Sequence, residues 1–502
     1  MTSPTTDLTE TRSVHELDPK RWIALIVIGI AQLMVILDAT IVNIALPKAA
    51  AALNIDSSSY QWIVTAYALP FGALLLLGGR IGDYLGRKRV LMVSLAGFAI
   101  ASAIGGAAQS SEMLFAARAL QGVFAAMLAP ASLSMLTVTF RDPKERAKAF
   151  AVFGAIAGGG AAVGLVLGGL LTEYTSWRWC LLVNIPIAAI AIIGAVVYLH
   201  ESTGDRTGHY DIVGALLATA GLASLVWGFS RAHQDSWGSV KTWGWLLAAV
   251  VLLAVFVFAE SRNSNALLPM RILKDRNRAG AYIVGLLVGT GLFAVFLFLT
   301  VFLQSVKGYS PVAAGVAFLP FSAGIIVGAG VGSQLVLKLG AKVIVPAGLL
   351  LGVAGLLWLS RLTLDTTYGG TILPAETLIA IGMGFIFMST TNVALHGVEP
   401  ADSGVASAMV NTTQQIGGSL GTALLSTFAA TAAGTYYSQH GAEMASGKDA
   451  AQHVQLAGLV HGYSVAFVWA AVFFAVATVA SILLINADKH EAEAAEPGMA
   501  VA

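Results

Sequence analysis

The sequence predicts an all-α polytopic membrane protein of fourteen spans, built as two six-helix bundles with two further helices inserted between them. Three observations carry this. The 502 residues are 57% hydrophobic and only 11% charged, whereas a soluble chain carries about 25% charged residues. Mean hydropathy is +0.78. Apolar runs long enough to cross a bilayer recur at about 22–47, 60–80, 90–108, 113–140, 147–172, 177–199, 211–230, 241–260, 280–306, 312–337, 341–360, 371–396, 403–434 and 460–486.

The charges test the count. An even number of spans puts both termini on one side. With that side cytoplasmic, Lys20, Arg21, Arg87, Lys88 and Arg89 fall inside, as do Arg141, Lys144, Arg146, Lys148 and Arg271 to Arg278. Only Lys48, Arg178, Arg231, Lys241, Lys307, Arg361 and Lys448 fall outside. That bias is the positive-inside pattern. Formal net charge is +1, which argues for no nucleic-acid partner. Cys180 is the single cysteine, so no intrachain disulfide and no cysteine-based metal site is possible. The polar first 20 residues lack the apolar core of a signal peptide.

A repeat fixes the organisation. The second run ends in Gly-Arg-Ile-Gly-Asp-Tyr-Leu-Gly-Arg-Lys-Arg, 79–89, and the tenth in Gly-Ser-Gln-Leu-Val-Leu-Lys-Leu-Gly-Ala-Lys, 332–342. Both are glycine-framed turns carrying basic residues. The expected divisions are a cytoplasmic tail 1–21, a first bundle 22–200, two inserted helices 201–261, a cytoplasmic connection 262–279, a second bundle 280–486 and a cytoplasmic tail 487–502. The Ala-, Gly- and Ser-rich stretch 434–460 reads as solvated, mobile peptide.

Leu37 to Pro47 is the stretch on which function turns. It places Asp38 and Asn43 inside the first span. An intramembrane acid is expensive and usually faces a polar cavity or a partner. In a poorly solvated site it loads and releases a proton, which points to a proton-coupled exporter; the alternative is a hydrogen bond to a neighbouring helix. Arg118 lies inside the fourth span on one face with Gln121 and Gly122. It either tunes the protonation of Asp38 or pins the fourth helix to the first. No other acid reads as lying well inside a span. Gly79, Asp83, Gly86, Arg87, Lys88 and Arg89 form a pattern that suits a conformational latch between the halves. Gly160, Gly164 and Gly168 repeat every four residues in the fifth helix, followed by Gly169, a stripe that admits close helix approach. Trp62, Tyr67, Phe293 and Phe298, with Asn43, Gln121, Asn411 and Gln415, are candidates for a substrate cavity. For Asn411 and Gln415, structural interhelical bonding fits as well.

Absences narrow the class. There is no Gly-x-x-x-x-Gly-Lys-Ser/Thr phosphate loop, no His-Glu-x-x-His and no Gly-x-Ser-x-Gly elbow. The chain therefore offers no site for an enzyme, no cofactor and no metal.

These motifs resemble the fourteen-helix drug:proton antiporters of the major facilitator superfamily, over about Trp22 to Ile485. The likeness rests on Leu37-Asp38-Ala39-Thr40-Ile41-Val42-Asn43-Ile44-Ala45-Leu46-Pro47, on residues 79–89, on Arg118, Gln121 and Gly122, and on Trp177-Arg178-Trp179 with Asn184-Ile185-Pro186. The antiporter pattern of the fifth helix reads Gly164-Leu165-Val166-Leu167-Gly168-Gly169 here, without its usual proline, a kink-forming residue. The resemblance implies multidrug or antibiotic efflux from a bacterial cell membrane. Hydrophobic, often cationic compounds would be exchanged for protons by a functional monomer. Export of an endogenous metabolite or lipid is the alternative, and a non-transporting sensor or enzyme the remote one.

Overall fold

The computed structural model describes residues 20–56, 59–140, 142–202, 211–235, 237–263, 266–398 and 403–486. Both expected tails lie outside these, apart from Lys20 and Arg21. Fourteen long helices run through the described residues. They are α1 Arg21–Ala52, α2 Gln61–Leu85, α3 Arg87–Gly106, α4 Ser111–Thr139, α5 Pro143–Tyr174, α6 Asn184–Tyr198 and α7 Ile212–Asp235, followed by α8 Val240–Arg262, α9 Arg276–Val301, α10 Leu319–Leu339, α11 Ala341–Leu359, α12 Leu373–Leu395, α13 Ser403–Gln439 and α14 Lys448–Leu484. Thirteen helical stretches are long and apolar enough to cross a membrane. The exception is α5, whose apolar stretch Gly159–Tyr174 is shorter. Its full 32 residues, at about 1.5 Å each, still exceed the bilayer core.

The repeat is visible in the packing. In the first half α1 lies against α5 and α6, α4 against α2 and α3, and α3 against α6. In the second, α9 lies against α13 and α14, α12 against α10 and α11, and α11 against α14. The breaks after α2 and α10 each fall on a glycine with positive φ, Gly86 at 105° and Gly340 at 77°. Residues with a Cβ rarely adopt that conformation. The inserted pair α7–α8 packs on itself and reaches α2 and α13, flanking the seam between the halves. Its outer faces expose Leu216, Leu247, Val250 and Phe258, as lipid contact requires.

Small residues set the spacing. Along α5, a Cβ at Gly160 would meet Leu33 at 2.9 Å, one at Gly164 would collide with Thr40, and one at Gly168 would lie 2.9 Å from the Ile41 carbonyl oxygen. Successive turns of α1 thus sit on successive glycines of α5. In the second half, Gly289 abuts the Gln414 carbonyl and Gly417 the Leu286 carbonyl. The stretch 434–460 corrects the expectation of mobile peptide. α13 continues to Gln439, a short helix covers Gly441–Met444, and α14 begins at Lys448. Its alanines favour helix, and no proline interrupts it.

Replacing Gly168 by Leu overpacks the α1–α5 contact and is expected to cost about 1–3 kcal/mol, read as a lower Tm in detergent. Gly434→Ala, where a Cβ meets nothing within 4 Å, leaves Tm unchanged or raises it.

Candidate coupling site and cavity

Asp38 is wholly buried at 0% exposure and Arg118 is 2% exposed. Arg118 Nη1 donates to Asp38 Oδ2 at 2.5 Å. Asp38 Oδ1 accepts from Gln121 Nε2 and from Asn184 Nδ2, each at 2.8 Å. Three donors and no facing acceptor fit an ionised carboxylate. The guanidinium is satisfied in turn: Nε donates to the Ile63 carbonyl at 3.1 Å and Nη1 to Gln121 Oε1 at 3.0 Å. The Tyr67 ring lies under it, with Cζ 4.4 Å from the centroid, a cation–π arrangement. Ser102 Oγ accepts from Gln121 and Asn184 at 2.8 and 3.3 Å. The network around the Asp38–Arg118 pair thus gathers groups from α1, α2, α3, α4 and α6.

The cavity lies beside this site, not at it. Its volume is about 220 Å³, in the half of the molecule that carries the basic turns. Phe71, Leu75, Leu133 and Phe153 supply apolar wall; Gln32, Ser134, Ser407 and Asn411 supply neutral polar groups. Arg80 is the one charged group among the described lining residues. Arg80 and Asn411 are exposed, so water reaches the cavity at that end. Tyr67 and Phe71, with ring centroids 5.6 Å apart, stand between the ion pair and the cavity.

The opposite end is closed. A short helix Pro311–Ala317, capped by Ser310, presses on α5. Gly315 meets the Leu165 carbonyl, a Cβ at Gly169 would lie 2.7 Å from the Pro311 carbonyl oxygen, and Val312 N–H donates to Glu173 at 2.9 Å. Beyond α9 a π-turn, Phe302–Val306, brings Gln304 to donate to the Ile44 carbonyl at 2.9 Å.

Of the cavity candidates, Asn411 lines this cavity. Asn43 donates to the Ala39 carbonyl at 3.2 Å on its own helix, and Tyr67 and Gln121 belong to the ion-pair site. Trp62 packs on Trp227 at 5.1 Å and Gln415 lies against Gly72. Phe293 packs on Gly418. Phe298 stacks on Tyr463 and lines a second, aromatic cavity of about 210 Å³ near the closed end.

The turn 86–89 is tied inside the first half. Glu201 accepts the backbone N–H groups of Lys88 and Arg89 at 3.1 and 3.2 Å, crowning the N-terminus of α3. Lys88 Nζ donates to the Val196 and Leu199 carbonyls at the end of α6, and Arg87 N–H donates to the Ser202 carbonyl. A Cβ at Gly86 would lie 2.6 Å from Glu201. Gly79 packs on Pro130 of α4. The side chain of Asp83 lies outside the described residues. At the base of the inserted pair, Asp211 is held below the usual carboxyl range. Burial opposes its ionisation, but the Gly214 N–H, the Glu260 carboxyl and the Asn263 amide outweigh that.

Sequence reading missed four groups. Asn184 and Ser102 are ordinary polar residues whose role appears only when five helices converge. Glu201 follows the sixth run in a connecting stretch. Glu376 was not singled out: it lies in the first turn of α12, near a helix end like the other acids, yet at 0% exposure.

Paired bundles around a cavity, closed at one end and open at the other, define a secondary transporter of the membrane. The Major Facilitator Superfamily profile matches residues 28–422, and the chain belongs to that family. The puromycin resistance protein of Streptomyces alboniger is 44% identical over 479 residues, 95% of this chain and 93% of the relative. The cephamycin export protein of Amycolatopsis lactamdurans is 38% identical over 408 residues, 80% of this chain and 84% of the relative. A bacterial homologue of the human lysosomal transporter Spinster, solved inward-facing and unoccupied, shares the fold. Its TM-score is 0.65 at 15% identity, over 96% of this chain and 100% of that one.

Arg118→Ala strands the Asp38 charge in a buried site, at an expected cost of about 3–5 kcal/mol. Thermal unfolding of the single variant and of Asp38→Asn/Arg118→Ala checks this. The double variant recovers stability because the stranded charge is gone.

Proposed function

We propose that this transporter exports amphiphilic antibiotics of the puromycin kind in exchange for protons. The observation that carries the reading is the buried Asp38–Arg118 pair, screened from a drug-accessible cavity by only two aromatic rings. The antibiotic-export names of its relatives support the substrate class. The neutral lining, with Arg80 at its mouth, favours neutral or weakly basic compounds over strong cations. On the positive-inside bias, the basic end is cytoplasmic, both termini lie there, and this conformation is inward-open with its outer gate shut. The chain then works as a transporter and not as an enzyme, as a monomer in the bacterial cell membrane.

In this reading the drug enters the cavity from the cytoplasm while Asp38 is ionised and held by Arg118. Moving to the outward-open state must part α1 from α4 so that outside water reaches the carboxylate, and returning the proton to the cytoplasm must open the Tyr67–Phe71 wall that seals Asp38 from the cavity in this conformation. A proton landing on Asp38 neutralises it and weakens its hold on Arg118. Asn184 Oδ1 is buried without a hydrogen-bond partner among the described residues; rotation of that amide would give protonated Asp38 an acceptor. Residues 79–89 act as a clamp at the basic end: Lys88 and Arg89, held by Glu201 and the end of α6, make α3 and α6 move as one body, with Gly86 joining α2 to them. The divisions 22–200 and 280–486 are then the two rocking units, with 201–261 beside their seam.

In proteoliposomes with a pH-sensitive dye, an imposed puromycin gradient is expected to drive proton movement in the parent and none in Asp38→Asn. Unchanged proton movement in that variant would remove Asp38 as the carrier. Accumulation of a native metabolite in a deletion strain with no change in drug sensitivity would favour the endogenous-substrate reading.

A further inference from the structure

We infer that Glu376 is a second proton-binding residue, one that holds the gate formed by helix Pro311–Ala317 shut. The inference rests on the orientation proposed above, which makes that gate the extracellular one. Glu376 lies in the first turn of α12 at 0% exposure. Its Oε2 has no hydrogen-bond partner among the described residues, and Oε1 lies 3.1 Å from the Tyr368 hydroxyl. That hydroxyl lies 2.7 Å from the Ala317 carbonyl oxygen, at the C-terminal end of the gate helix.

Hydrogen counting assigns the proton. A phenol has one O–H to give, and a carbonyl can only accept. The shorter contact, to Ala317, therefore takes the phenolic hydrogen. The contact between Tyr368 and Glu376 is then a hydrogen bond only if the carboxyl is the donor. A neutral carboxyl also suits a site with no exposure and an unpaired oxygen, where an isolated charge would be expensive. Were Glu376 to ionise, the carboxylate would compete for the phenolic hydrogen with a stronger, charge-assisted bond. The Ala317 carbonyl would lose its partner, and the helix that presses on Leu165 and Gly169 of α5 would lose its anchor.

Among the described residues, no countercharge competes for this role. Tyr368 is the ionisable side chain in contact with the carboxyl. At the same end, Lys307 gives its Nζ to the Leu364 carbonyl at 3.1 Å, and Glu173 is engaged with Val312 N–H. Tyr309, Arg361 and Asp365 belong to the loops there. Of the helices packed on α12, α9 carries Arg276, Arg278 and Tyr282 at the basic end. α10 and α11 carry Lys338 and Lys342, also at the basic end, and α13 carries Tyr436 and Tyr437 in its last turns. Tyr368 is half-buried and Gly369 and Gly370 beside it are exposed, so outside water comes within one side chain of Glu376. The proton arrives from that water with the gate open and returns to it when the gate reopens. Closure is thereby linked to external acidity.

The test uses the full-length transporter in nanodiscs, without drug. Spin labels on Thr175→Cys and Ser305→Cys, both exposed, bracket the gate; the native Cys180 is buried. In the parent, the closed fraction is expected to rise as pH falls. Glu376→Gln, nearly isosteric, is expected to lose that pH step and stay closed. Tyr368→Phe, which keeps the carboxyl but cuts its link to Ala317, is expected to lose the step and populate the open gate. A Glu376→Gln or Tyr368→Phe titration that follows the parent curve overturns the proposal. Because no substrate is moved, this outcome is independent of whether puromycin drives protons.

Discussion

A charge taken out of water must be repaid by donors and countercharge, and at Asp38 that requirement organises half the molecule. A carboxylate with no exposure would be prohibitive alone. Its three donors come from Arg118 and Gln121 on α4 and Asn184 on α6, with Ser102 of α3 behind them and the Ile63 carbonyl and Tyr67 of α2 completing the guanidinium. α5 is recruited differently: its glycines let α1 approach at Leu33 to Ile41, the turns around the acid. All six helices of the first half are thus committed to one pair of charges.

The second half repeats the helix pairing without repeating the chemistry. Where α1 meets its bundle through an ion pair, α9 meets α13 through backbone approach at Gly289, Gly417 and Gly421, with Thr290 Oγ1 between the Leu286 and Gly417 carbonyls. Such contacts are short and neutral, so they do not depend on protonation. The asymmetry confines the buried ion pair at mid-helix to one bundle. The buried acid of the second bundle among the described residues, Glu376, lies instead at a helix end, linked through Tyr368 to the short helix Pro311–Ala317.

The membrane class, the helix count and the α1–α5 stripe were legible because lipid imposes length and apolarity on every span, and glycine spacing maps directly onto helix turns. Asp38 and Arg118 stood out because ionisable groups in apolar runs are rare. Their partnership with Gln121 was within reach, since Arg118 and Gln121 share a face. Asn184 and Ser102 were not legible as partners, because amides and hydroxyls are tolerated in many places and only the three-dimensional convergence selects these two. The helices around 434–460 were obscured by composition: small residues that suit a loop also extend a helix. The turn 86–89 carried its basic signal plainly, but its acceptor, Glu201, lay in a stretch read only as a connector.

The placement of the cavity constrains how drug and proton would be linked in the proposed exchange. Its lining offers no carboxylate among the described residues, so a drug cannot displace a proton by competing for one site. The linkage must pass through conformation: Phe71 faces the cavity, Tyr67 touches both Phe71 and Arg118, and Arg118 holds Asp38. A ligand pressing on Phe71 acts on the ring that covers the guanidinium, and through it on the strength of the ion pair. Conversely, in the proposed exchange a proton on Asp38 would loosen Arg118 and free the ring wall. Reciprocity of coupling then requires each ligand to change the other's affinity equally, without ever sharing a contact.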